Sequence, residues 1–212
     1  MKINPENEFL KNLIKLQYGL KVQNTLKKIS SKVIWARGWP QNKKSFWNAE
    51  AFMWNHKIDA DPRKLITQEL KPLHGKKNLD LGCGSYSYIP STGFDISKKM
   101  LDFNDNCLQK VTGDLENKLP FANKSFDSVT ALFVLNYVKN YPQLLSEISR
   151  VLKFQGIFVA ALYSRNINSW QRQKEVNKLS KEKWKNNIAE AGFSVKLNKK
   201  QVLWLFKCVK ST

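Results

Sequence analysis

The chain is poor in the residues that most directly mark metal and disulfide chemistry. Its 212 residues include two histidines, His56 and His74, and three cysteines, Cys83, Cys107 and Cys208. An odd, widely spaced set of cysteines gives neither a disulfide framework nor a zinc-ligand spacing. We therefore expect no metal site, and small core thiols in a reducing cytoplasm. No apolar run reaches the roughly 18 residues that span a bilayer. The opening stretch MKINPENEFL lacks the apolar centre of a secretory signal. The expectation is a cytoplasmic protein without a membrane partner. Negative charge is also scarce, with 17 Asp and Glu against 36 Lys and Arg.

The 42% hydrophobic and 12% aromatic content suits a folded chain. The length suits one domain with an extension. The net charge of +19 is uneven: residues 1–76 carry +9, residues 77–163 carry +1 and residues 164–212 carry +9. Two basic flanks around a near-neutral centre point to a surface that meets a polyanion. Lysine-rich solvated helix faces would give the same totals.

Apolar Phe9, Leu10, Leu13, Ile14 and Tyr18 recur at three and four spacing, which predicts a helix over residues 6–30. Gly38 and Pro40 punctuate a connector at 35–40. Ser45 is placed to cap a helix reaching His56, and Asp61-Pro62 to start another that ends before Pro72. From Lys77 the period changes. Short apolar runs predict strands at 78–81, 93–96, 108–112, 125–134 and 156–162, with helices at 98–103 and 142–152 between them. A helix at 180–191 stops at Gly192, and strands at 193–197 and 202–209 form an antiparallel hairpin. The expected fold is α/β, a mostly parallel sheet with helices on both faces. Residues 1–75 would be a basic helical extension or lid. Residues 76–212 would be the α/β domain, with a basic insertion at 164–187.

Three segments carry chemistry. In Asn78-Leu-Asp-Leu-Gly-Cys-Gly-Ser85 a strand runs into two glycines, which let the backbone turn sharply and let a ligand approach. In Gly93-Phe-Asp-Ile-Ser97 an acidic residue ends the next strand, where it can accept from ribose hydroxyls or cap the helix that follows. In Gly113-Asp-Leu-Glu116 a third carboxylate sits just past another strand, with Leu119-Pro-Phe121 and Ser125-Phe-Asp127 behind it.

In this order, followed by Glu147-Ile-Ser-Arg-Val-Leu152 and Gly156, the segments resemble the class I S-adenosylmethionine-dependent methyltransferases. The match covers about residues 76–163 and is similar to the group that methylates quinones. The resemblance implies a Rossmann-like seven-stranded sheet of order 3-2-1-4-5-7-6 with the last strand antiparallel. It implies S-adenosylmethionine as cofactor. Asp80, Gly82, Cys83 and Gly84 would form the loop around its methionine part, Asp95 would hold the ribose with Ile96 beside the adenine, and Asp114 and Leu115 would meet the adenine. Phe133, at the end of the fourth strand, would face the methionine end. Tyr86 stands where the family has a third glycine. Only nine residues lie between Gly82 and Thr92, fewer than the roughly 10–12 of a parallel crossover, so the first crossover helix should be reduced to about a turn. A nicotinamide dehydrogenase would need a third glycine where Ser87 stands and gives the Leu119–Asp127 block no role.

Methyl transfer from a sulfonium is a direct displacement that needs alignment and a dry site. Asn136 and Tyr137 lie where acceptor-side residues often sit in the family. The acceptor itself must be argued from the flanks. Trp35, Arg37, Trp39, Lys43, Lys44, Phe46, Trp47, Phe52 and Trp54 interleave aromatics with cations, and Arg165, Trp170, Arg172, Lys174 and Trp184 repeat the theme. Exposed aromatics stack on unpaired bases while cations meet phosphates. Hence RNA, tRNA or rRNA, is the expected acceptor and partner, with Arg37, Trp39, Trp54, Asn136 and Arg165 as substrate-side candidates. Two alternatives stay open. One is a small-molecule acceptor under a hydrophobic lid at 47–54. The other is a non-catalytic subunit that binds RNA or a partner.

Overall fold

The computed structural model describes residues 4–54, 58–164 and 174–211. The helix expected over residues 6–30 is two helices, α1 (Pro5–Gln17) and α2 (Gln23–Ser30). Gly19, at φ +81°, breaks the run. Asn4 starts α1 by accepting from the Glu6 amide, with Pro5 in the first turn. Phe9, Leu13, Leu26 and Ile29 then pack with Val33 and Trp39 into a small core of their own.

Helix α3 is Lys43–Glu50, and its cap is Asn42, whose side chain accepts from the Ser45 amide at 2.9 Å. Ser45 instead turns its hydroxyl back to the Arg37 carbonyl at 2.6 Å. The helix expected to reach His56 ends at Glu50, with turns over residues 51–54, and His56 itself lies outside the described residues. Helix α4 (Ala60–Leu70) continues into a 3-10 turn over Lys71–Leu73.

Seven strands follow the predicted spacing: β1 Asn78–Leu81, β2 Ser91–Asp95, β3 Cys107–Thr112, β4 Phe126–Leu132, β5 Leu152–Tyr163, β6 Phe193–Lys200 and β7 Leu203–Lys210. Their order is β3-β2-β1-β4-β5-β7-β6, with β7 antiparallel to both neighbours. Helices α5 (Lys98–Asp102), α6 (Tyr141–Val151) and α7 (Lys181–Glu190) supply cover. The crossover from β1 to β2 carries no helix, where the short spacing led us to expect about one turn.

One face of the sheet packs Val129, Phe158 and Phe206 against Ile148, Trp184 and Ile188. The other packs Val159 and Leu205 with Ile66, Leu70 and Leu73 of the α4 region. The late motif is held by charge-assisted bonds. Arg150 pairs with Glu147 at 2.7 Å and donates to the carbonyls of Leu119 and Phe121 at 3.0 and 2.8 Å. Glu147 accepts from the Leu119 amide at 2.7 Å. Two sequence blocks read separately are therefore one locked corner.

Candidate active site

The parallel strands all present their carboxyl ends to one edge of the sheet, where ligands bind in such folds. At the end of β1, Gly82 and Gly84 take φ of +60° and +58°, and the Gly82 amide bonds to the Phe94 carbonyl at 2.7 Å. A Cβ at Gly82 would lie 2.4 Å from Val134, and one at Gly84 would lie 2.9 Å from the Trp54 indole nitrogen. These positions exclude a side chain by both conformation and space.

At the end of β2 the buried Asp95 carboxylate accepts from the Gly84 amide at 2.9 Å and the Ser97 amide at 2.8 Å. Burial pushes its pKa up to about 6, against the pull of the backbone amides of Ser97, Gly84 and Ile96. Past β3, Asp114 accepts from Lys43 Nζ at 2.8 Å and from the Glu116 amide at 3.1 Å. Past β4, Phe133 adopts φ +60° and stacks on Tyr163 with centroids 4.7 Å apart.

These groups line a partly open pocket. Of the nine residues expected to hold the cofactor, Gly82, Gly84, Asp95, Ile96, Asp114, Leu115 and Phe133 line it. Asp80 and Cys83 do not. The Asp80 side chain points under the loop, where it accepts from Ser87 Oγ and Thr130 Oγ1, each at 2.6 Å. Its burial raises it to about 6 despite those two hydroxyl donors. Cys83 turns away to pack on Leu101 and Cys107, its Sγ 3.9 Å from that of Cys107.

The missing helix after β1 leaves the loop to be held by side chains. Asn104 donates to the Gly84 carbonyl at 3.0 Å and accepts from the Ser87 amide at 3.1 Å. Tyr86 does not fill the pocket; its ring is partly exposed and lies under the Arg63 guanidinium at 4.7 Å.

The substrate-side candidates separate. Trp54 lines the pocket with Trp47, Lys43 and Tyr137. Trp39 is buried at 3% exposure against Phe9, so its ring is core rather than a stacking surface. Arg37 is exposed on the turn before α3, and it is absent from the pocket lining. Asn136 faces the 175–177 segment, donating to Glu175 at 3.1 Å and accepting from the amides of Val176 and Asn177. Its neighbour Tyr137 is the residue that enters the pocket. Arg165 lies outside the described residues. Lys43 stood in the sequence only as one cation of a run, and nothing local distinguished it from Lys44. Met100, Leu132, Val134 and Val138 were likewise unmarked, because apolar pocket walls and apolar core look alike in a sequence.

Two carboxylates, a glycine turn and flat apolar sides at Ile96, Leu115 and Phe133 fit a purine nucleoside that carries an amino-acid tail. Fold and pocket thus define a binder of a nucleoside-bearing cofactor at the carboxyl edge of the sheet. Comparison with known proteins makes this specific. A family model described as a methyltransferase domain matches residues 79–160. A demethylmenaquinone methyltransferase of Staphylococcus saprophyticus is 30% identical over 178 residues, covering 62% of this chain and 76% of its own length. That of Tropheryma whipplei is 35% identical over 118 residues, covering 50% of this chain and 49% of its own. A Haloferax volcanii methyltransferase, solved with a methyltransferase activator, superposes with a TM-score of 0.63 at 20% identity, covering 78% of this chain and 98% of its own. Phosphoethanolamine N-methyltransferase 2 of Haemonchus contortus, solved with S-adenosyl-L-methionine, gives 0.64 at 16% identity, covering 85% and 61%. At these identities the two structures speak for the fold alone. The chain belongs to the class I S-adenosylmethionine-dependent methyltransferases. Its cofactor is S-adenosylmethionine.

Among the described residues no cluster of three or more His, Cys, Asp or Glu could hold a metal ion, and no helix is long and apolar enough to cross a membrane.

Proposed function

We propose that the methyl acceptor is a small, flat, largely apolar molecule of the quinol class. The observation that carries this is the wall facing the cofactor end. Trp47 packs edge-on to Tyr137 and Trp54, with centroids 5.0 and 6.0 Å apart, and Leu132 and Val138 complete an apolar lining. Aromatic walls of this kind hold a planar ring and keep water from the reacting atoms. Relatives named demethylmenaquinone methyltransferases support the same class.

When bound, the cofactor supplies an already activated methyl group, so the protein's part is binding and alignment. Asp95 and Ile96 would take the ribose and one side of the adenine, and Asp114 and Leu115 its other edge. The turn at Gly82–Gly84 would take the methionine tail. Trp47 and Trp54 would hold the acceptor in line and exclude water.

RNA is the second reading, and the charge of +19 favours it. The aromatics weaken it, since Trp39, Phe46 and Trp184 are buried and offer no platform for unpaired bases. Both readings are tested by incubating the protein with methyl-labelled cofactor and, in separate arms, a reduced demethylated naphthoquinone and total cellular RNA. Label in the quinol and none in RNA is the expected result. Label in RNA nucleosides with none in the quinol overturns the proposal.

A further inference from the structure

Lys43 sits where three chain segments meet. Its ammonium lies 2.8 Å from Asp114 and 3.5 Å from Glu116 on the turn after β3. Glu116 in turn accepts from the amides of Lys139 and Asn140 at 2.7 and 2.8 Å, on the stretch that follows Tyr137 and Val138. One cation therefore joins helix α3, the base end of the cofactor pocket and the loop that carries the acceptor wall. The same helix supplies Trp47 to that wall.

The two ends of α3 are fixed differently. Toward its C-terminal half, Asn48 accepts from Ser97 Oγ at 2.8 Å, and both residues are buried. The Ser97 amide donates to Asp95, so this tie reaches the ribose-side carboxylate through one buried residue. At its N-terminal end, Lys43 reaches Asp114 directly across a pair whose side chains are 37% and 29% exposed. A buried tie holds, whereas a partly open ion pair exchanges and is screened by salt. The Lys43 end is where α3 can part from the pocket.

We propose that Lys43 is a positioning residue that latches helix α3 over the base end of the cofactor pocket and sets how fast the demethylated cofactor leaves. This rests on the reading of Asp114 as the partner of the adenine amine. With the base seated on Asp114, the ammonium beside it bars the way out, and release requires the pair to open. The consequence is a release rate that rises with salt. A purely structural lysine would not show it.

The test uses the full chain and S-adenosylhomocysteine, with intrinsic tryptophan fluorescence, to which Trp47 and Trp54 on the pocket wall contribute, as reporter in stopped-flow displacement. Lys43→Met is expected to release the ligand about threefold faster at low salt, the scale a partly exposed ion pair can supply. Release from the wild type should speed up between about 0.05 and about 0.5 M salt, and release from Lys43→Met should not. Lys43→Arg should keep the wild-type rate and salt slope. Lys64→Met, which removes an exposed lysine on α4, controls for net charge and should behave as wild type. Equal rates and equal salt slopes for wild type and Lys43→Met overturn the proposal. Absence of any binding signal from the wild type removes the cofactor pocket itself, a distinct failure.

Discussion

The indole of Trp54 rests on Gly84, so closely that a Cβ on that glycine would meet its nitrogen at 2.9 Å. Trp54 and the turn after β1 therefore share one surface. Gly84→Ala meets two penalties. Its φ of +58° costs an alanine about 1–2 kcal/mol, and the added methyl pushes Trp54 out of place. Gly75, at φ +74° with nothing within 4 Å, isolates the first penalty. Gly75→Ala should lose about 1 kcal/mol in a denaturant melt. Gly84→Ala should lose more and bind S-adenosylhomocysteine at least about tenfold more weakly by calorimetry. Trp54→Phe in the same chain should recover part of that loss, the coupling expected of residues in contact.

Cofactor affinity should fall in mild acid. Asp95, lifted to about 6 by burial, would, on the proposed reading, hold the ribose hydroxyls most strongly when ionised, since protonation weakens its acceptors and adds an O–H donor. Below pH 6 each unit should weaken binding of S-adenosylhomocysteine about tenfold, and above pH 7 affinity should be flat. Asp95→Asn should bind weakly at every pH with the slope abolished. The sign for folding is the reverse of a salt-bridged carboxylate. Because the folded protein holds the proton to higher pH than the unfolded chain, ionisation of Asp95 works against the fold as pH rises from about 4 to about 6. A binding curve that is level from pH 5 to 8 would exclude Asp95 from the ribose site.

Arg150 should be the costliest surface-near cation to remove. Arg150→Met leaves Glu147 without its ion pair and frees two carbonyls, so a loss of about 2–4 kcal/mol is expected in thermal melts. Arg150 holds the Glu147 carboxyl below its ordinary range. Its contribution is therefore present above about pH 4.5 and vanishes as pH falls below that. The difference between wild type and Arg150→Met should shrink in acid. A constant difference would contradict the pairing.

Trp184 separates packing from nucleic-acid stacking. It is fully buried against Tyr141, and its indole N–H has no hydrogen-bond partner among the described residues. Trp184→Ala should lose about 3–5 kcal/mol. Trp184→Phe also deletes the orphan donor, so its cost should stay near about 1 kcal/mol. Retention on RNA should be the same for Trp184→Phe and wild type. Loss of retention with normal stability would restore the stacking role.

The strands were legible as short apolar runs between turn signals, whereas their order in the sheet came from the resemblance to the methyltransferase family. The strands at 78–81 and 126–132 are buried on both faces apart from the half-buried Asp127, as strands covered on each side must be, and their polar residues Asn78, Asp80, Ser128 and Thr130 are hydrogen-bonded to one another or to neighbouring groups. Turn residues and carboxylates at strand ends then located the pocket floor. Three things escaped. The Asp80 carboxylate reads like a ligand group, and no local pattern announces that it accepts from two buried hydroxyls beneath the loop. Trp39 and Trp184 read like stacking aromatics, because a one-dimensional run of cations and rings does not say which rings face inward. Lys43 pairs with a residue far along the chain, and no local pattern encodes that meeting.

Helix α4 has its own long reach. Glu69 holds Lys200 and Lys207, at 2.7 and 2.5 Å, on the two strands that complete the sheet. Leu203 and Leu205 of β7 lie in the same apolar cluster as Ile66 and Leu70. During synthesis this helix emerges early, and its docking surface is completed only when β7, with Leu203 and Leu205, has left the ribosome. Until then its apolar stripe is only partly covered, and closure must await contacts of high sequence separation, which form slowly. The nascent chain should therefore depend on chaperone protection, and its yield should respond to translation rate and temperature more than its final stability suggests.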